Sequence, residues 1–298
     1  MSINGILNVN KPEGQTSFDI VARLRWLSGE KHVGHAGTLD PLATGVLPVC
    51  LGQATRVVQF LIDSTKTYLT QIELGITTDT FDREGKVTLR KDPAGITMLQ
   101  IKEALTAFTG SIEQSPPKYS AVKHQGRRHY ELARAGIEVE TKPRRVTIST
   151  IELVDYTPPL LTISVECSKG TYIRSLAHDL GQHLGCGASV KELIRTRCGP
   201  FRIEDALPVP EIQCYFHRGN YTDILYPVDT PLLGLAAVIV SGADEASIRN
   251  GCPIALPEEQ HIKGDYCRVY NKDGLFIAIL RFVPEKNLWH PDKVFSLE

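Results

Sequence analysis

No stretch of this sequence approaches the roughly 20 consecutive apolar residues that span a bilayer. Its start, "MSINGILNVNKPEG", lacks the basic-then-apolar pattern of a secretory signal. Those two absences exclude a membrane partner and make the cytoplasm the expected location. The seven cysteines, Cys50, Cys167, Cys186, Cys198, Cys214, Cys252 and Cys267, contain no C-x-x-C pair. Such an odd, scattered set speaks against a zinc site and a disulfide framework, and for reduced thiols in or near the core. There is no G-x-x-x-x-G-K-[ST], so a P-loop is excluded, and neither H-E-x-x-H nor G-x-S-x-G occurs. Internal repeats and low-complexity tracts are missing as well. So is a strong charge of either sign: the formal net charge is −1 over 298 residues. That weighs against a surface coated for nonspecific nucleic-acid binding.

What is present is an ordinary globular balance, 42% hydrophobic and 22% charged, which supplies enough apolar side chains for a sizeable core. The basic charge is unevenly placed. "PPKYSAVKHQGRRHYELARAG" holds Lys118, Lys123, Arg127, Arg128 and Arg134 against Glu131 alone, and "TKPRR" adds Lys142, Arg144 and Arg145. The part beyond Leu235 is slightly acidic.

The patterning is α+β. "GILNVNKP" reads as a strand stopped by Pro12, and Ser17 is the expected cap of the helix "FDIVARLRWLS", closed by Gly29. "VLPVCLG" reads as a buried strand and "ATRVVQFL" as a short helix. "KTYLTQIELG" alternates, with Tyr68, Thr70, Ile72 and Leu74 on one face. "ITTDTFDREG" reads as a polar loop before the strand "KVTL". Thr97 and Gln100 predict a capping box for a helix ended by Gly110. A short helix is expected around "RRHYELARAG". Two long strands meet at Pro158-Pro159, and a helix capped by Thr171 follows "CSKG". The expected architecture is a mixed, largely antiparallel sheet flanked by helices over residues 1–230. "PVDTPLLGL" reads as a linker to a small, mostly-β domain at 236–298, with a hairpin turning at Asn271 to Gly274.

Three polar residues invite a chemical reading. Asp40 sits in the Gly/Pro loop "GHAGTLDPLATGVL", Tyr68 on the alternating strand, and Arg174 in the first turns of the helix after "CSKG". Burying a carboxylate raises the cost of its charge. An arginine beside it supplies a permanent planar cation, and a tyrosine supplies a stacking face and a hydroxyl. That trio suits chemistry on a heterocyclic base.

"GHAGTLDPLATGVL" closely resembles the signature loop of the TruB family, the bacterial tRNA pseudouridine-55 synthases. The resemblance runs through "GILNVNKPEGQTSFDIV", "KTY", "LGITTDTFDREG", "PPKYSAVKHQGRRHYELARAGI", "CSKGTYIRSLAHDLG" and "IRTRCGPF", from Gly5 to about Leu207. It implies the pseudouridine synthase fold and an isomerase that flips a uridine of the tRNA T-arm out of its stack. The base is detached from its ribose, rotated and rejoined through carbon 5, without cofactor or metal. On the resemblance, Asp40 is the catalytic residue, attacking sugar or base or removing a sugar proton. Tyr68 stacks on the base and is a candidate for taking the carbon 5 proton, while Arg174 partners Asp40. Tyr172 and Leu193 line the uracil pocket, and His35 fills the gap left in the RNA. Lys11 and Pro12 belong to a structural motif near the site. The basic segment at about 116–146, with Lys123, Arg127 and Arg128, closes over RNA. The tail resembles a PUA domain through "ADEASIRNGCPI" and the hairpin after it. The expected enzyme is a monomer with no obligatory protein partner. Two rivals stay open: an RNA-guided or noncatalytic RNA-binding subunit of the dyskerin type, and a small-molecule enzyme using an Asp–Arg pair.

Overall fold

A computed structural model describes residues 2–117, 123–124, 127–128, 142–256, 262 and 264–297, with backbone alone at 123–124 and 127–128. The strands are β1 (Gly5–Lys11), β2 (Val33–His35), β3 (Thr44–Leu51), β4 (Lys66–Leu74), β5 (Ile76–Thr78), β6 (Val87–Arg90), β7 (Gly110–Gln114), β8 (Lys123–His124) and β9 (Arg127–Arg128). They continue with β10 (Arg144–Thr157), β11 (Leu160–Cys167), β12 (Ala188–Cys198), β13 (Phe201–Arg202), β14 (Leu207–Pro208), β15 (Ala236–Ile239), β16 (Tyr266–Tyr270), β17 (Phe276–Val283) and β18 (Leu288–Val294). The α-helices are α1 (Ser17–Ser28), α2 (Val58–Asp63), α3 (Met98–Ala107), α4 (Ile173–His183), α5 (Val209–Arg218) and α6 (Ala243–Arg249).

The main sheet runs β14-β1-β3-β12-β4-β11-β10-β7, with β13 on β12 and β2 on β3. Only β1–β14 and β3–β12 pair in parallel, so the sheet is mixed and largely antiparallel, as expected. β4 lies in its middle and buries Thr70, Ile72 and Leu74 on the predicted face. β3 is apolar on both faces for a tertiary reason. Leu47, Val49 and Leu51 pack with Leu7, Val9 and the α1 residues Ile20 and Leu24. Val46 and Cys50 face the other way and belong to a second cluster, which also takes in Phe276, Ile279 and Phe295 of the tail.

The tail is a four-stranded sheet, β15-β16-β17-β18, with its own core around Val269, Ile277 and Leu280. Its hairpin turns at Asn271–Gly274, where the Asn271 side chain accepts from the amides of Asp273 and Leu275 at 3.0 and 2.9 Å. The "PVDTPLLGL" stretch is packed: Val228 and Leu232 are buried in the cluster shared by both sheets. Arg56 lies over the Phe295 ring at 5.1 Å, and Phe60 meets Tyr266 edge-on at 5.8 Å.

Several local expectations change. Thr16, not Ser17, caps α1, in a capping box with Asp19. Thr171 does not cap α4; its hydroxyl donates to the Ser168 carbonyl at 3.0 Å, and the Gln114 amide takes the Tyr172 backbone N–H at 2.7 Å. Arg127 and Arg128 are extended and pair with Lys123–His124 in a hairpin, where a helix was expected. The rest of "RRHYELARAG" lies outside the described residues. Gly29 closes α1 in the left-handed region and Thr97 with Gln100 forms the capping box of α3, both as expected, whereas Gly110 opens β7 instead of ending α3, and Ile76–Thr78 of the expected polar loop form β5. α3 itself ends at Ala107. Five cysteines are buried and two, Cys214 and Cys252, are exposed, all as free thiols. Among the described residues no helix is long and apolar enough to cross a membrane.

Candidate active site

The loop between β2 and β3 is held from within. Leu39, Leu42 and Ala43 are buried in the main core. Asp40 to Ala43 form a tight turn closed by Ala43 N–H to Asp40 C=O at 3.1 Å, with Pro41 at the position whose fixed φ suits it. The residues flanking Asp40 are both clamped. Ser17 Oγ accepts from Leu39 N–H at 2.9 Å and donates to its carbonyl at 3.2 Å. The Pro41 carbonyl accepts from Gly14 N–H at 2.8 Å and from Lys11 Nζ at 3.2 Å. Apolar anchoring therefore explains why a single carboxylate is placed at the mouth of a buried strand: its neighbours go into the core and leave it aimed outward.

Lys11 is fully buried and also donates to the carbonyls of Pro12 and Gln15, at 2.8 and 2.6 Å. Burial lowers its ammonium to about 8, with Asp40 opposing that shift. Its role is to tie the 12–15 turn to the loop.

Arg174 projects from the first turn of α4 and is 5% exposed. Its Nε is 2.9 Å from Asp40 Oδ2, and its Nη1 is 3.1 Å from Asp82 Oδ2 and 3.2 Å from the Thr80 carbonyl. One guanidinium thus spans two carboxylates. Asp82 is buried in the turn between β5 and β6, where Thr80 Oγ1 and the Glu84 amide bond its other oxygen at 2.5 and 3.1 Å. The Asp40 side chain keeps 37% exposure through the cavity mouth. Burial pushes its carboxyl above the ordinary value of 3.8, Arg174 pulls it back most strongly, and Asp82 adds to the rise.

Asp40 and Arg174 line a cavity of about 350 Å³, within the size range of small-ligand clefts; Asp82 stands behind Arg174, outside that lining. The cavity gathers five of the residues expected at the site: Asp40, Tyr68, Tyr172, Arg174 and Leu193. Lys66 and Arg195 form part of its wall, and Arg144 and Lys169 add further cations. Burial raises the Tyr68 phenol above 10, and Arg195 opposes that rise. His35 does not line this cavity; it lies at the end of β2, opposite Val49. The side chains of Lys123, Arg127 and Arg128 lie outside the described residues. Asp82, Arg195 and Lys66 are the members that sequence reasoning missed. Asp82 left one trace, the long motif "LGITTDTFDREG", to which no residue role was attached.

Comparison with known proteins gives the family of the chain. The model described as TruB family pseudouridylate synthase, N-terminal domain, matches residues 25–173. The model described as tRNA pseudouridylate synthase B C-terminal domain matches 174–233.

The chain belongs to the TruB family.

It is 47% identical to the tRNA pseudouridine synthase B of Dehalococcoides mccartyi strain ATCC BAA-2100, over 98% of this chain and 97% of that one. It is 42% identical to the protein of that name from Pseudomonas aeruginosa strain UCBPP-PA14, over 93% and 91%. Its fold also matches a chain in the crystal structure of a Cbf5-Nop10-Gar1 complex, with TM-score 0.76, 27% identity, and 98% and 85% of the chains covered. Membership makes this TruB-family chain a pseudouridine synthase, and pseudouridine synthases are isomerases. The small-molecule reading has no support among these relatives.

Proposed function

We propose that this TruB-family chain converts uridine 55 in the T-arm loop of tRNA to pseudouridine, with Asp40 as its catalytic residue. The observation that carries the reading is the Asp40–Arg174 pair at 2.9 Å inside a cavity that also holds Tyr68. A base reacts there only after leaving its stack, which costs a few kcal/mol. His35, on the strand that leads into the catalytic loop, fills the gap in this reading.

The chemistry conserves every atom. The bond from N1 of the base to C1′ of the ribose breaks, the base rotates, and C5 bonds to C1′. The C5 proton leaves and N1 gains one, so no oxidant or co-substrate is consumed and no cofactor or metal is called for. Asp40 starts the sequence by attacking sugar or base, or by removing a sugar proton. Arg174 holds the carboxylate in line, and Asp82 holds Arg174. Tyr68 stacks on the base and accepts the C5 proton. Tyr172 and Leu193 form the walls against which the ring turns.

In this reading the segment at about 116–146 binds phosphates through Lys123, Arg127 and Arg128, and the PUA-like tail at 236–298 adds local RNA contacts. The protein works in the cytoplasm as a monomer. The test is the purified chain alone with an unmodified tRNA transcript. Stoichiometric pseudouridine confined to position 55 supports the reading, and its absence sinks it. The fold shared with a Cbf5 complex chain favours one alternative, an RNA-guided subunit of the dyskerin type. Activity appearing only with a guide RNA and partner proteins would select that alternative.

A further inference from the structure

Arg195 is the largest fully buried side chain among the described residues, at 1% exposure. A buried guanidinium is costly unless its donors are satisfied. Here Nε donates to the Val46 carbonyl at 2.7 Å and Nη2 to the Gly37 carbonyl at 3.0 Å. Both acceptors belong to the stretch that carries Asp40. The backbone of Arg195 fits that stretch as well. Gly45 has φ +97°, and a Cβ there would sit 2.3 Å from the Arg195 carbonyl oxygen. A Cβ on Gly37 would stand 3.4 Å from Arg195 Nη1. Two glycines of the signature loop are therefore shaped around one arginine.

The same arginine faces Tyr68. Arg195 on β12 is the cross-strand partner of Tyr68 on β4, so both side chains stand on one face of the sheet. Both line the cavity, and the guanidinium charge favours the ionised phenol. We propose that Arg195 is the positioning residue of Tyr68: anchored on the catalytic loop, it holds the phenol oxygen in place and readies it to take the proton from C5 of the bound base. The inference rests on the proposed isomerisation and on Tyr68 as its base.

A phenol that accepts a proton must first be ionised. Burial opposes this most, and Cys167 on β11 and Cys198 on β12 oppose it further. Arg195 works in favour. Lys66, two residues away on β4, is spent on the carbonyls of Leu61, Ile62 and Ser64 at 2.6–2.8 Å. Asp40 and Arg174, which share the cavity, are spent on each other. Lys169 pairs with Asp63 at 2.6 Å and Arg144 lies on β10, so among the cavity's cations Arg195 is the one set opposite Tyr68 across the strand pair. In the step it assists, the C5–H electron pair returns to the ring and the proton passes to the phenolate oxygen, leaving a neutral tyrosine.

The test is single-turnover pseudouridine formation at saturating tRNA, from neutral to alkaline pH. Arg195→Gln should slow the reaction by about tenfold or more at neutral pH, one pKa unit being tenfold. It should regain rate as pH rises, because hydroxide then replaces the missing cation. In a Tyr68→Phe background the same change should cost nothing further, a non-additivity that a purely structural role does not give. A wild-type rate and pH profile in Arg195→Gln overturns the proposal, and so do losses that simply add. A second measurement needs no Arg195 variant, should that protein fail to fold. Fluorotyrosine at position 68 of the wild-type protein, a more acidic phenol, should move the alkaline rise to lower pH; an unmoved profile overturns the proposal. Failure of the wild type to act on the transcript at all would instead remove the proposed function.

Discussion

Ser17 bonds both backbone groups of Leu39, accepting from its N–H at 2.9 Å and donating to its carbonyl at 3.2 Å. Twenty-two residues separate the two, so the first helical residue of α1 is fastened to the position before Asp40. The capping task falls to Thr16, one residue earlier and facing solvent. Ser17→Ala leaves a buried amide and carbonyl unpaired and should cost about 1–3 kcal/mol in denaturant unfolding. It should also lower the single-turnover rate, because the loop is then held by one clamp fewer. Thr16→Ala should cost about 1 kcal/mol by removing the cap and leave that rate intact. Equal rates in the two variants would remove the clamp from the mechanism.

Asp40→Asn should abolish turnover without lowering stability. Burial raises the Asp40 carboxyl above 3.8 in the fold, so the folded protein holds that proton more tightly than the unfolded chain. Ionising the group therefore costs stability as pH rises past 3.8, and the cost is complete above the raised value. The Asn variant avoids it. Its melting temperature should equal or exceed the wild type's at neutral pH, with the difference vanishing as pH falls toward 3.8. A clear drop in stability at neutral pH would show that the pairing with Arg174 outweighs burial.

Asp82→Ala should behave in the opposite way. Asp82 and Arg174 are 4% and 5% exposed in side chain, and removing one partner of a buried pair costs about 3–5 kcal/mol. Without Asp82 the Arg174 guanidinium is no longer held in line with Asp40, so the rate should fall with the stability. Asp82→Asn keeps a polar acceptor and should recover stability before it recovers rate. Full activity in the Asn variant would mean that the charge of Asp82 plays no part.

Gly45→Ala should be severely destabilising, by about 3 kcal/mol or more. The added methyl would meet the Arg195 carbonyl oxygen at 2.3 Å, from a backbone already at φ +97°. Gly34→Ala, eleven positions earlier, meets nothing nearer than a Thr55 methyl at 4.0 Å. It should be neutral or stabilising by about 0.4–1 kcal/mol. Thermal melts of the pair check this, and similar values for both would show that the strand gives way around Gly45.

Neutralising Lys123, Arg127 and Arg128 together should weaken tRNA binding and reduce its salt slope by up to about three, one for each phosphate that then keeps its counterion. The saturated rate should change little, since the role proposed for the three is to bind phosphates and not to take part in the chemistry. Binding measured across a salt series decides it, and an unchanged slope would return these residues to a solvated face.

Much of this protein is determined by sequence alone, because local rules reach it. Alternation placed Thr70, Ile72 and Leu74 on the buried face of β4, and the Asn271–Gly274 turn marked the tail hairpin. Asp40, Tyr68 and Arg174 were legible through long motifs, and they do meet in one cavity. Tertiary structure decided the rest, for one physical reason: a buried charge or hydroxyl is specified by partners far along the chain. Thr16 and Ser17 cap equally well on local grounds, and Leu39 settles which of them turns inward. Asp82 reads as one more acid in a polar loop until Arg174, 92 residues later, closes on it. Arg195 stands in the motif "IRTRCGPF" with no role attached until the carbonyls of Val46 and Gly37, 149 and 158 residues before it, take its donors and leave its charge beside Tyr68.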